Sequence, residues 1–114
     1  MLPKIHRLPL RTEFKRTKYQ GKTVSGDYFS LIFHKRTDQA ASRFAFIVSK
    51  KVHPLSVGRN RIRRLMSEAV KSLLPQIPLN MDGVFLMRKA IVGKKLGEIQ
   101  DEVEKILSKA IKGL

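Results

Sequence analysis

Residues 49–74 read SKKVHPLSVGRNRIRRLMSEAVKSLL, and this stretch decides how the rest of the chain is interpreted. Its apolar side chains recur every three or four residues, which is the spacing of one buried face of an α-helix. That face comprises Ile62, Leu65, Met66, Ala69, Val70 and Leu73. A turn of about 100° per residue carries a second set to the opposite, open face. This set is Asn60, Arg64, Ser67 and Lys71, flanked by Arg61 and Arg63.

The open face of this helix is suited to phosphate. Arginine presents a planar fork of N–H donors that matches two phosphate oxygens at once. Arg59 begins the cationic run, Lys50 and Lys51 precede it, and Glu68 is the only acid nearby. The alternative is an ordinary solvated face, but solvated faces usually mix charges of both signs. The pattern therefore favours a surface that binds nucleic acid.

Charge is distributed unevenly along the 114 residues, whose formal net charge is +15. Residues 1–64 hold 16 Lys and Arg against 3 acids, a net of +13, whereas residues 65–114 hold 8 against 6, a net of +2. This asymmetry predicts one strongly basic surface and a polyanionic partner. A membrane surface is a weaker candidate because no helix combines lysines with an exposed aromatic face.

Length and composition predict a single domain that spans residues 1–114. Hydrophobic residues make up 42% of the chain, which is enough for a modest core. Cysteine is absent, so disulfides and thiolate metal sites are excluded. No apolar run has the length of a membrane span or the form of a signal peptide, and we therefore expect a cytoplasmic protein.

The elements around the central helix predict a two-layer α+β domain. A basic, extended arm over residues 1–11 precedes a short helix that we expect to begin with Thr12 as its N-cap and to end at Gln20. Three strands follow, over residues 22–25, 28–35 and 44–48. Because the third strand is apolar on both faces, we expect it to lie in the centre of the sheet.

The second half of the chain adds a strand and a helix. Asp82-Gly83 predicts a turn before a fourth strand over residues 84–87. Acids from Glu98 to Glu104 open the last helix and lysines close it, as the helix macrodipole favours. Its predicted buried stripe is Ile99, Val103, Ile106, Leu107, Ala110, Ile111 and Leu114.

No group of residues forms a catalytic constellation. The three histidines, His6, His34 and His53, have no carboxylate at ligand spacing, which argues against a zinc site. The acids Glu98, Asp101 and Glu102 suit helix capping better than magnesium binding. We therefore expect the protein to contain no catalytic residue and no metal site of its own.

The motif SKKV followed by VGRNRIRRLMSEA resembles the signature of the bacterial ribonuclease P protein subunit. The resemblance extends to the opening LPKIHRL, to the Glu13-Phe14 pair and to the late GVFLMRK segment, and so covers nearly the whole chain. It implies a ribosomal protein S5 domain 2-like fold. In that fold the third strand, the basic helix and the fourth strand form a left-handed βαβ crossover, against the general right-handed rule.

The resemblance also implies a function. Members of this family are the small subunit of a ribonucleoprotein whose RNA carries the active site. That RNA uses Mg²⁺ to remove the 5′ leader of precursor tRNA. The implied partners are ribonuclease P RNA and precursor tRNA, with no protein partner required. The protein alone is expected to be inactive.

Two sets of site residues follow from the resemblance. The RNA-binding set matched to the family's basic element is Lys50, Lys51, Arg59, Asn60, Arg61, Arg63 and Arg64, to which we add Arg7 and Arg11 of the arm. Phe14 matches an aromatic residue that lines a cleft for the single-stranded leader, between the first helix and the open sheet face. Lys18 and Ile32 occupy cleft positions where the family often has aromatic residues. The cleft is therefore expected to be more electrostatic, with Phe14 as a core residue the alternative reading.

Two other classes of function explain part of the same pattern. A ribosomal or other structural RNA-binding protein accounts for the charge and the fold, but it requires neither a leader cleft nor the Arg59-Asn60-Arg61 element. A DNA-binding module is weaker, because a helix-turn-helix needs a partner helix before the basic one, and here a strand and Gly58 precede it.

Overall fold

The computed structural model describes all 114 residues and contains one mixed four-stranded sheet with helices on both faces. The elements are α1 (Leu10–Gln20), β1 (Lys22–Ser25), β2 (Phe29–Lys35), β3 (Arg43–Ile47), α2 (Ser56–Leu73), β4 (Met81–Met87) and α3 (Leu96–Lys112). This order confirms the predicted α+β arrangement of a helix, three strands, a helix, a strand and a helix.

The strands lie in the order β1-β2-β4-β3. Pairing is antiparallel except between β3 and β4, which are parallel and are joined through α2. The prediction that β3 is central is wrong, because β4 is its only full neighbour in the sheet. Its outer edge is covered by the N-terminal arm, where the Leu8 N–H donates to the Phe44 carbonyl at 3.0 Å. That cover protects the edge of the strand, and its two faces are apolar because each packs against a separate hydrophobic cluster.

The main core lies between the sheet and helices α2 and α3. Phe29, Leu31 and Phe33 alternate along β2 and are all buried on this side, as their period-two spacing predicts. The Phe85 ring lies at the centre of the core, edge-on to Phe29 at a centroid distance of 5.2 Å. From α3 the core receives Ile99, Val103, Ile106, Leu107 and Ala110. The predicted stripe fails at its end, because Leu114 lies beyond the last turn of the helix and is exposed.

A smaller apolar cluster holds α1 and the arm against the other face of the sheet. Its buried members are Leu8, Ala45 and Val84, with Phe14 packed against them. The arm is therefore fixed along the domain rather than loose. Its 3₁₀ turn at Lys4–His6 also corrects the prediction of a fully extended arm.

Helix α1 begins three residues earlier than predicted, because its N-cap is Pro9 rather than Thr12. Pro9 is its N-cap residue, with φ near −73°, and its carbonyl accepts the backbone N–H groups of Thr12 and Glu13 at 3.3 and 3.0 Å. The Thr12 hydroxyl also donates to this carbonyl, at 3.4 Å, so it caps no N–H group. Proline fixes φ at the helix entry, and no side chain caps the first turn.

The predicted turn at Asp82-Gly83 is also wrong, because both residues lie inside β4. The chain turns instead at Asn80, whose φ of 60° lies in the left-handed region. Gly83 is required within the strand because a Cβ there would lie 2.9 Å from the Phe44 ring. Asp82 has no exposed surface and accepts two hydrogen bonds from Arg43, at 2.8 and 3.0 Å.

The buried Asp82 carboxylate is the centre of a polar network that joins β2, β3, β4 and α1. Arg36, at the end of β2, pairs with Asp82 and also donates to Asp38. Arg43 extends the network to Glu13 on α1 at 3.5 Å. The hydrogen bond to Asp82 raises the pKa of the Arg43 guanidinium above its usual value. Asp82 is therefore the carboxylate that both guanidiniums share.

A second carboxylate with an unpredicted role is Glu102 on α3. It was expected to serve only the helix macrodipole, but it is buried and accepts the backbone N–H of Tyr28. A buried N–H needs such a partner, and the hairpin between β1 and β2 supplies none. Glu102 therefore joins α3 to the β1–β2 hairpin.

Asp82→Asn should lower the free energy of unfolding by about 3–5 kcal/mol, because it leaves the guanidiniums of Arg36 and Arg43 without their shared charge partner. Urea denaturation monitored by circular dichroism measures this loss. Asp38→Asn is the matched control, since the Asp38 side chain is 56% exposed and its removal should cost much less. Equal losses in the two variants would show that burial of Asp82 does not matter.

Candidate nucleic-acid interface

The loop from β3 to α2 presents the first two cations of the predicted RNA-binding set. Val52 is buried in the main core and anchors the loop. Lys50 and Lys51, immediately before it, are both exposed. The Val52 N–H donates to the Ser49 carbonyl at 3.0 Å, which closes a turn around the two lysines. The lysines are therefore displayed at a fixed place beside the start of α2.

Gly58 and Arg59 hold this loop against the first turn of α2. The His53 ring occupies the position of a Gly58 side chain, because a Cβ there would lie 2.2 Å from the ring. The Arg59 Nη1 atom donates to the carbonyls of His53 and Pro54, at 3.0 and 2.9 Å. Arg59 therefore fixes the loop with one guanidinium nitrogen. Its remaining donors have no protein partner.

The arginines of α2 face solvent without acids to neutralise them. Arg61, Arg64 and Asn60 are exposed, and Arg63 is half-buried. The Arg63 Nη1 atom donates to the Asn60 side-chain oxygen at 2.6 Å, which orients this guanidinium along the helix. The six ion pairs of the molecule all lie elsewhere, so no carboxylate pairs with an arginine of α2, and the one acid of this helix, Glu68, is also unpaired.

One residue of the predicted open face is misplaced. Ser67 is 2% exposed, whereas Asn60, Arg64 and Lys71 are exposed as predicted. The buried arc of α2 is wider than its apolar stripe because the helix packs on both α3 and the sheet. A small serine can enter such an arc, and a stripe defined by apolar residues alone does not detect it.

The predicted leader cleft lies where α1 crosses the sheet face opposite α2 and α3. Phe14 is half-buried against the smaller cluster, so its ring both anchors α1 and remains partly accessible. Lys18, one turn further along, is exposed. Ile32 is 7% exposed and lies beside Gly21 at the end of α1, so it offers little surface to a base. Of the three residues, Phe14 and Lys18 thus have surface available to a ligand.

Two further cations lie at the N-terminal end of the chain: Arg7 on the arm at the edge of β3, and Arg11, predicted to be in the arm but found in the first turn of α1. Arg7 and Arg11 are both exposed. The Arg7 Nε atom donates to the Leu2 carbonyl at 2.7 Å and fixes the fold of the arm. Its guanidinium therefore has a structural contact in addition to the RNA contact predicted for it.

His34 is a buried titratable residue on the α1 face of the sheet, which corrects the prediction that the histidines are at the surface or next to phosphate. Its side chain lies opposite Asp82 in the β2–β4 register, and its Nε2 atom has no hydrogen-bond partner. Burial lowers the pKa of the imidazole below 6.5; Asp82 opposes this shift, and Arg16 and Arg36 reinforce it. The alternation of β2 predicts that His34 faces away from the main core, but only the position of α1 explains its burial.

The structure contains no group of three or more His, Cys, Asp or Glu side chains close enough to hold a metal ion. No helix has the length and apolar character needed to cross a membrane.

Comparison with known proteins identifies relatives over nearly the full chain. The family described as Ribonuclease P matches residues 2–111. A ribonuclease P protein component from Microcystis aeruginosa is 32% identical over 112 residues, which cover 96% of this chain and 93% of the relative. One from Brevibacillus brevis is 31% identical over 105 residues, covering 92% and 82%.

Solved structures with the same fold are also known. The ribonuclease P protein of Staphylococcus aureus matches with a TM-score of 0.82 and 25% identity, covering 94% of this chain and 96% of that protein. The Thermotoga maritima protein matches with a TM-score of 0.82 and 24% identity, covering 90% and 96%. At these identities the agreement supports the predicted fold class.

The buried His34 should make the protein less stable in mild acid. Its folded-state pKa is lowered, so the unfolded chain binds the proton more readily, and stability is lost as the pH falls below about 6.5. Melting temperatures between pH 7.5 and 5.5 should fall for the natural chain and vary less for His34→Gln, which cannot titrate. His6→Gln is the control, because it makes the same replacement at a histidine outside the buried site. An unchanged pH profile in His34→Gln would refute this assignment.

Proposed function

The chain belongs to the ribonuclease P protein family, and on that premise we propose that its two basic surfaces bind two different RNAs. As a member of this family it is the protein component of an endoribonuclease ribonucleoprotein that acts in tRNA processing. Its partner is the RNA subunit of that enzyme. The surface formed by Lys50, Lys51 and the arginines of α2 binds this RNA, and the cleft beside α1 binds the 5′ leader of precursor tRNA.

The observation that supports the RNA-subunit surface is the unopposed charge of α2. Arg61 and Arg64 are exposed on a helix whose other side is buried in the core, and no carboxylate pairs with them. The helix fixes where these side chains begin, and each planar guanidinium can donate two hydrogen bonds to one phosphate, so less entropy is lost per hydrogen bond formed. The folded loop places Lys50 and Lys51 beside them.

Magnesium belongs to the RNA in this proposal. The protein's acids do not fit a magnesium site, because Asp82 and Glu102 are committed to protein donors and no three carboxylates converge. The ion, held by RNA, would supply electrophilic assistance to phosphodiester hydrolysis. The chain's own cations reduce repulsion between the phosphates of the RNA subunit and those of precursor tRNA, which lowers the concentration of Mg²⁺ that cleavage requires.

The leader site is supported by the neighbourhood of Phe14 and Lys18. A partly accessible ring offers a face on which an unpaired base can stack, and an exposed lysine one turn away can follow the backbone. Phe14 is the one aromatic residue assigned to the cleft, and Ile32 is buried and adds little contact surface. Binding of the leader therefore depends more on charge than on stacking. The 5′ leader is single-stranded, so its bases are available for such contacts.

The alternative of a ribosomal or other structural RNA-binding protein has no specific support. The relatives found are ribonuclease P proteins, and they match the chain over nearly its whole length. For the holoenzyme we propose a cytoplasmic location, where precursor tRNA is available, and no requirement for a second protein.

Reconstitution tests the assignment of the RNA-subunit surface. Protein freed of RNA should leave precursor tRNA intact, and addition of ribonuclease P RNA should give cleavage at low Mg²⁺. The double variant Arg61→Glu with Arg64→Glu should weaken binding to that RNA by about 10-fold or more, because each substitution places a carboxylate against phosphate. Filter binding measures the affinity.

The matched control is Lys105→Glu with Lys109→Glu. It makes the same change of net charge at exposed positions of α3. A loss of equal size in this control would mean that only net charge matters. Cleavage by rigorously RNA-free protein would refute the proposal of a catalytic RNA.

Phe14→Ala should reduce affinity of the holoenzyme for precursor tRNA but not for mature tRNA, which lacks the leader. The expected loss is about 1–3 kcal/mol for one stacked base. Phe14→Leu keeps an apolar anchor for α1 and removes the aromatic face, so it separates stacking from packing. Lys18→Ala should mainly reduce the salt-dependent part of the affinity.

The measurement is the ratio of precursor to mature tRNA affinity, with thermal melts as the folding control. If Phe14→Leu restores both stability and the natural ratio, the ring acts only as an anchor. In that case the leader-cleft assignment fails for this residue.

A further inference from the structure

A cavity of about 250 Å³ lies between the first turns of α2 and the loop that precedes α3. Its apolar lining consists of Ile62 and Leu65 from the helix and Ile91 and Val92 from the loop. Pockets for drug-sized ligands begin at about 300 Å³. The cavity is therefore suited to a single small group rather than to a larger ligand.

The rim of this cavity carries positive charge. Arg61 lies on the α2 side, and Lys94 lies on the loop side. The Lys94 Nζ atom is held near the rim, 3.9 Å from a Glu98 carboxylate oxygen and 5.4 Å from the centroid of the Tyr28 ring. Arg61 has no carboxylate partner, so its guanidinium is available to a ligand. An anionic ligand with an apolar, planar part matches both features.

His53 forms part of the wall between these cations. Its ring lies flat over Gly58, and its Nδ1 atom accepts the Leu55 N–H at 3.2 Å, which fixes the ring plane. RNA-binding proteins stack unpaired bases on aromatic side chains of this kind. The ring lies at the same opening as Arg61, on the face that carries the exposed arginines.

Phosphate binding alone does not explain this arrangement, because phosphate oxygens gain nothing from an apolar floor. Val92 is 42% exposed at the opening, although an apolar side chain there has no evident role in the fold. Burying such surface under an apolar ring is favourable by about 25 cal/mol per Å². Charge and apolar surface together indicate a nucleotide.

We propose that this cavity receives one unstacked nucleobase of the RNA subunit. Arg61 and Lys94 contact the phosphates on either side of that nucleotide, and the His53 ring, Leu65 and Val92 contact the base. The proposal rests on the proposed function, since it assigns part of the same RNA contact. It adds recognition of a splayed-out base to a surface otherwise described by phosphate contacts alone.

The test compares Val92→Gln with Val57→Gln in binding to ribonuclease P RNA. Both valines are exposed and near the start of α2, and neither substitution changes charge, but only Val92 lines the cavity. The natural chain and Val57→Gln should protect one unpaired base of the RNA from chemical modification of its base edges. Val92→Gln should lose that protection and bind at least about fivefold more weakly, because it removes part of a stacking contact.

The salt dependence of binding should be the same for all three proteins, because the phosphate contacts remain. Equal affinity and equal base protection for Val92→Gln and the natural chain would overturn the cavity proposal while leaving RNA binding intact. Failure of the natural chain to bind the RNA would overturn the proposed function and this proposal with it. Thermal melts exclude unfolding, and Val92→Ser is the second variant if Val92→Gln is unstable.

Discussion

The buried carboxylate of Asp82 is the interaction on which the rest of the structure depends. It lies inside β4 without exposed surface and neutralises Arg36 and Arg43, which reach it from β2 and β3. A charge buried this deeply is tolerated only when it is paired and hydrogen-bonded. Through Arg43 and Glu13 the same network fixes α1, and with it the position of Phe14. The ion network therefore helps to position α1, which forms one side of the cleft proposed for the leader.

The acids used in this network are not available to the basic surface. The network uses Glu13, Asp38 and Asp82. Glu102 accepts the backbone N–H of Tyr28, between β1 and β2. The loop and helix from Lys50 to Arg64 contain no acid at all. Internal pairing thus leaves an uneven surface field, which would favour the approach of a polyanion to α2. Fold stability and the proposed RNA binding therefore draw on the same division of charges.

Much of this was predictable from local sequence, and the failures share a physical cause. The spacing of Ile62, Met66 and Ala69 predicts α2 correctly, since a helix face is a local property. Asp82-Gly83 was misread as a turn because its role comes from Arg43, 39 residues earlier. Ser67 and His34 are buried although their positions in the sequence predict exposure, and the reason is related. Their burial is imposed by packed neighbours, which periodicity does not describe.

The claim that unopposed cations on α2 and its loop bind RNA phosphates is tested most directly by the salt dependence of affinity for ribonuclease P RNA. For a duplex with roughly 6–10 phosphate contacts, affinity falls by about three to five decades between 50 and 200 mM salt, and RNA slopes are expected to be shallower. The account predicts a steep, linear decrease of log affinity with log salt. A nearly flat dependence would contradict it, because binding would then rest on contacts other than charge.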